Sequence, residues 1–149
     1  MDEEKYSRQI KLFGKDTQEK ILASHVHLAG VVEERMASYM IRLLSQVGAH
    51  VCRSNECKIE QTWVFVFDLP EAMHESFRAA EQDQKILYIS TSNLLISKAY
   101  TQRLNAGSTV QHSEVYLNIL VGVAVQEYIK SMAGINCSDE WRLDLSIFE

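Results

Sequence analysis

Apolar residues recur along this chain in two patterns, one with helical spacing and one in short continuous runs. The clearest helical pattern joins Met36, Met40, Leu44 and Val47, which fall on one face and predict an amphipathic helix over about residues 33–47. Three further helices are predicted. The first spans 15–23 and is capped by Asp16 or Thr17, and the last spans 113–132. Between them, a helix capped by Asp68 and begun at Pro70 is expected to turn Met73, Phe77 and Ala80 inward. Glycines end two of these helices, at Gly48 and Gly134.

Short apolar runs between the helices predict the strands. The run TWVFVF at 62–67 is β-branched and aromatic throughout, which is typical of a strand covered on both faces. Other strands are predicted at 25–30, 50–53, 85–90, 100–104 and 141–145. Helices alternating with such strands predict an α/β fold, with a Rossmann-like, mostly parallel sheet flanked by helices. In such folds the first strand-helix-strand unit is the usual nucleotide site.

The composition bounds the class of protein. A chain of 149 residues is the size of one domain. Within this single domain we expect an N-terminal arm and helix (1–23), a first strand-helix-strand unit (24–53), and the crossover strands, late helix and terminal strand (62–149). The net charge is −5 and no basic block occurs, which argues against a nucleic-acid or membrane-surface partner. The charged N-terminus is no secretory signal, and the apolar run 115–125 is too short to span a bilayer. A nuclear or cytoplasmic location is therefore expected.

The cysteines and histidines give little sign of metal chemistry. Three cysteines, Cys52, Cys57 and Cys137, form no pair at metal-ligand spacing, and the odd count predicts reduced, inert thiols. His25 and His27 alternate on a strand but have no third ligand nearby, so we expect ordinary edge or partly buried imidazoles. No metal site is predicted.

The N-terminal segment carries a family resemblance. Residues 6–14 (YSRQIKLFG), followed by Gln18-Glu19-Lys20 and Ser24-His25-Val26, resemble the opening of the ubiquitin-activating-enzyme adenylation family, which includes the bacterial molybdopterin and thiamine adenylyltransferases. Later landmarks at 64–68, 85–90 and 121–130 occur in the family's order, although the middle is heavily shortened. Within the family, Phe13-Gly14 and the ending at 143–149 look most like the small, non-catalytic subunit of the SUMO-activating enzyme. The resemblance implies a reduced, degenerate version of the adenylation fold.

The chemistry of that family is largely missing. An adenylating site cradles phosphate with a glycine-rich turn at a helix N-terminus, but here only Gly30 remains, and Glu33 and Glu34 occupy the first helical turn. Two like charges 4 Å apart repel by ~4 kcal/mol at an effective dielectric constant of ~20, so phosphate is disfavoured there. Glu56 follows the second strand, but a lone glutamate in a loop is a weak replacement for the ribose-binding acid. The family's catalytic segment and thioester-cysteine domain are also absent, so we expect this chain alone to bind no cofactor.

The residue expected to act is Arg8. The resemblance implies that this arginine reaches across a subunit interface to the Mg-ATP bound by a catalytic partner subunit, since a guanidinium is a planar, permanently charged donor to phosphate. The chain is then expected to be the regulatory half of a heterodimer, whose partner holds the ATP, the thioester cysteine and the ubiquitin-like modifier. The alternative for Arg8 is a surface position in a mobile arm, paired with Glu3 or Glu4.

Two other functions stay open. One is a minimal homodimeric sulfur-carrier adenylyltransferase, which requires a phosphate-binding loop and a catalytic aspartate that the sequence does not show. The other is a BRCT-like phosphopeptide-binding module, with which the element order over 24–100 is loosely compatible. The usual tryptophan of its last helix is missing, because Asn93-Leu94-Leu95 stands there, and residues 6–20 are left unexplained.

Overall fold

Six strands form a single sheet in the computed structural model, which describes residues 1–52, 62–105, 111–135 and 139–148. The strands run in the spatial order β2-β1-β3-β4-β5-β6. Their bounds are β1, His25–Gly30; β2, His50–Cys52; β3, Thr62–Phe67; β4, Lys85–Ser90; β5, Leu95–Ser97; and β6, Glu140–Arg142.

The sheet is mostly parallel. Strands β1 to β4 run in one direction, while β5 is antiparallel to β4 and β6 is antiparallel to β5. After β1 the chain crosses to β2 on one side and then returns to β3 on the other side. The carboxyl ends of β1 and β3 therefore form a topological switch point, the position at which open α/β sheets usually bind ligands.

Helices cover both faces of the sheet. Their bounds are α1, Ser7–Phe13; α2, Lys15–Ala23; α3, Glu34–Val47; α4, His74–Ala80; and α5, Glu114–Ala133. Alternate residues of β3 enter two separate cores: Phe65 packs on the side of α3 and α5, and Val64 packs on the side of α4. Because successive side chains of a strand point to opposite faces, this division places helices on the two sides of one sheet.

Tyr128 of α5 connects the N-terminal helices with the larger core. It is fully buried, and its ring meets Trp63 and Phe65 edge-on, with ring centroids 5.4 and 5.8 Å apart. Its hydroxyl forms a buried hydrogen bond with the hydroxyl of Ser24, the residue that ends α2. Burial raises the pKa of Tyr128, because the ionised phenol would lose its water.

The strongest sequence patterns predicted the matching elements. The amphipathic stripe of α3 is confirmed, since Met36, Met40 and Leu44 are buried and Gly48 ends the helix in the left-handed conformation. Strands β1, β3 and β4 lie at the predicted positions. Helix α5 follows Ser113 and ends at Gly134 as expected.

Several local predictions are wrong. Residues 100–104 are not a strand: a 3₁₀ turn occupies Gln102–Asn105, and the fifth strand lies earlier, at Leu95–Ser97. The final strand is Glu140–Arg142, and a 3₁₀ turn follows it at Leu145–Phe148. Neither Asp16 nor Thr17 caps α2, because that helix begins at Lys15 directly after Gly14.

Within the described residues, no helix combines the length and the apolarity needed to cross a membrane. Helix α5 is long enough, at 20 residues, and it buries much of its apolar run against the sheet, including Leu120, Val121, Ala124 and Val125. Val115 and Ile119 of the same run remain exposed.

Candidate functional site

Gly30 brings the ends of β1 and β3 into very close contact at the switch point. Its φ angle is +85°, in the region that favours glycine. The next residue, Val31, donates its backbone N–H to the carbonyl oxygen of Phe67 at 2.8 Å. A Cβ added at Gly30 would lie 2.1 Å from that same oxygen. This glycine is therefore required by the packing of the two strand ends.

The turn after Gly30 leads directly to two carboxylates at the N-terminus of α3. Glu33 precedes the helix in an extended conformation, and Glu34 is its first residue. Both are exposed. Carboxylates are favourable at the positive end of a helix dipole, and their negative charge disfavours a second anion beside them.

Two clefts open at this edge of the sheet. The first has a volume of about 680 Å³ and lies between the first turns of α3 and α5, where Glu33, Glu34 and Glu114 line it together with Arg42. The guanidinium of Arg42 lies over the ring of Tyr39, 5.0 Å from its centroid. Of the two arginines that line this cleft, Arg35 and Arg42, the second is therefore already in contact with an aromatic ring.

The second cleft has a volume of about 660 Å³ and shares one residue, His112, with the first. The Nε2 atom of His112 lies 2.7 Å from the carbonyl oxygen of Ser92, so this nitrogen carries the hydrogen and donates it. Asp144 also lines this cleft, and hydrogen bonds from Ser146 lower the pKa of its carboxyl group. The two clefts thus meet at one fixed imidazole.

Asp68 does not cap a helix, contrary to the sequence prediction. Its φ angle is +45°, and its carboxylate accepts hydrogen bonds from the backbone N–H of Thr91 at 2.8 Å and from the Thr91 hydroxyl at 2.5 Å. The carboxylate therefore joins the end of β3 to the end of β4. A 3₁₀ turn at Glu71–Met73 precedes α4, and Met73 is exposed and not inward as predicted, while Phe77 and Ala80 pack against the smaller core.

Arg8 is the predicted site residue, and it lies apart from both clefts. It belongs to α1, its side chain is exposed, and it lines neither cleft. Arg8 forms no ion pair with any residue in the described part of the chain. Glu3, which was a possible partner, is instead paired with Lys15 at 2.7 Å.

The arm that carries Arg8 is anchored. Tyr6, immediately before α1, is only 7% exposed, and Phe13 at its end packs against the larger core. Backbone hydrogen bonds join Ile10 to Tyr6 and Gly14 to Ile10, each at 2.9 Å. Arg8 therefore has the surface position of the alternative interpretation, but it lies on a helix that packs against the protein and it is not paired with Glu3 or Glu4.

The prediction of three reduced cysteines is wrong for Cys52, which is disulfide-bonded. The other two cysteines, Cys57 and Cys137, lie outside the described residues, as do Arg53 and Glu56. An odd cysteine count cannot reveal a disulfide between two of its members, because spacing alone does not give connectivity.

The histidines on the first strand pair stack on each other. His25 and His50 are directly opposite in β1 and β2, with ring centroids 5.2 Å apart. In the described ranges, no three side chains among histidine, cysteine, aspartate and glutamate are arranged to hold a metal ion.

Sequence reasoning missed the polar turn after β4, where Thr91, Ser92 and Asn93 follow a buried strand. Asn93 donates to the hydroxyl of Ser90 and to the carbonyl oxygens of Arg103 and Leu104. The signal in the sequence was a run of small polar residues at the carboxyl end of a parallel strand, the edge at which ligand sites cluster.

No protein-family model matches the sequence, and no curated protein matches it either. Among solved structures, the chain is similar to a heterocyclase in complex with substrate and cofactor, with a TM-score of 0.60 and 13% identity over 79% of this chain. It is also similar to the crystal structure of PaaA, with a TM-score of 0.60 and 13% identity over 96% of this chain and 80% of that chain.

The chain spans only 20% of the heterocyclase's length. At 13% identity, both similarities concern the fold alone. They agree with the predicted fold class, which is confirmed: a Rossmann-like α/β fold with a mostly parallel sheet between helices.

Proposed function

We propose that this chain is the non-catalytic regulatory subunit of a heterodimeric activating enzyme for a ubiquitin-like modifier of the SUMO type. In this proposal a catalytic partner subunit binds Mg-ATP and the modifier, in the nucleus or cytoplasm. The present chain completes the partner's ATP site with Arg8. The resemblance of residues 6–14 to the adenylation family indicates the class of partner. Two observations in the structure favour the role of a non-catalytic subunit.

The first observation, and the one that carries the proposal, is the presentation of Arg8. Its guanidinium is exposed on a helix that Tyr6 and Phe13 anchor to the body of the protein. An arginine without an ion pair, fixed on a rigid support, loses little side-chain pairing when it binds a phosphate. Because Arg8 lies outside the chain's own clefts, the phosphate that it contacts in this proposal belongs to another subunit.

The second observation concerns the chain's own nucleotide position. At the switch point, Glu33 and Glu34 project from the turn where phosphate would bind, and Gly30 closes that turn against Phe67. Fixed negative charge at the α3 N-terminus repels a triphosphate by Coulomb's law. These features support an ATP site in the partner and none in this chain.

Isothermal titration calorimetry of the 149-residue chain with Mg-ATP should therefore detect no binding, which means a Kd weaker than about 1 mM. The reason is the repulsion between the triphosphate and the carboxylates of Glu33 and Glu34. A Glu33→Gln, Glu34→Gln double variant is the matched control, because it removes both charges and keeps the size of the side chains.

Micromolar binding to the wild-type chain alone would contradict the proposed role and favour the adenylyltransferase alternative. Binding that appears only in the double variant would confirm that the carboxylates, and not a missing cavity, exclude the nucleotide.

A further inference from the structure

We draw no further inference here: the strongest candidate, the cleft between the first turns of α3 and α5, is lined by glutamates and arginines together, and nothing in the structure shows whether a cation or an anion would fill it.

Discussion

Replacing Gly30 with alanine should lower the free energy of unfolding by about 3 kcal/mol or more. A Cβ at this position would lie 2.1 Å from the carbonyl oxygen of Phe67, and the φ angle of +85° is strained for any side chain. The ends of β1 and β3 would have to separate, which would break the hydrogen bond from Val31 to Phe67. Urea denaturation followed by circular dichroism measures the change.

Gly122→Ala is the matched control. Gly122 lies inside α5, and a Cβ there would meet nothing within 4 Å. Alanine is a better helix former than glycine, so this variant should gain up to about 1 kcal/mol of stability. Equal urea midpoints for Gly30→Ala and the wild-type chain would show that the strand ends are not in close contact.

The structural role of Gly30 decides whether this glycine is evidence for a nucleotide site. In the sequence it stands alone at the position of the glycine-rich phosphate loop of the adenylation family that residues 6–14 resemble, so it could be taken as a remnant of ATP binding. The structure gives it another purpose, because the close approach of β1 to β3 requires a glycine whether or not a nucleotide binds. Its presence is therefore no sign of a residual ATP site.

In the proposed heterodimer, replacing Arg8 with alanine should lower modifier adenylation by about 10³-fold, the magnitude known for arginines that stabilise phosphoryl-transfer transition states from a neighbouring subunit. Arg8→Lys should recover only part of the rate, since an ammonium keeps the charge but loses the planar pair of donors. Modifier-dependent exchange between ATP and pyrophosphate measures the rate of adenylation.

Two controls accompany the Arg8 variants. Arg78→Ala removes an exposed arginine from α4 and should leave the exchange rate unchanged. The Kd of the heterodimer shows whether the Arg8→Ala enzyme is still assembled at the concentration of the assay. Unchanged exchange in a fully assembled Arg8→Ala enzyme would exclude a role for this residue at the partner's ATP.

The sequence predicted those parts of the fold whose patterns are long and strong. The helical stripe through Met36, Met40 and Leu44 and the apolar run of β3 each specify one element, and both lie where predicted. Periodicity sustained over many residues leaves a single arrangement that buries the apolar face.

Short elements escaped prediction because tertiary contacts stabilise them. Helix α1 has seven residues and no side-chain cap, and the burial of Tyr6 and the packing of Phe13 stabilise it. Strand β5 has three residues and exists through its pairing with β4 and β6. Neither contact can be read from the local sequence, since both partners are distant along the chain.

The candidate site was predicted in part. The sequence placed Glu33 and Glu34 at the start of α3, because position in a helix follows from its pattern. It gave Asp68 the wrong role, since an aspartate before a proline resembles a helix cap. The hydrogen bonds that Thr91 donates to Asp68 depend on β3 lying beside β4.

The most direct test of the central claim is a thioester assay with the catalytic subunit of the SUMO-activating enzyme, performed with and without this chain. The two chains are co-expressed, and transfer of the modifier to the catalytic cysteine is measured at saturating Mg-ATP. Thioester formation should depend on the added chain and be lost with Arg8→Ala. Equal thioester formation in the absence of the chain would contradict the proposed function.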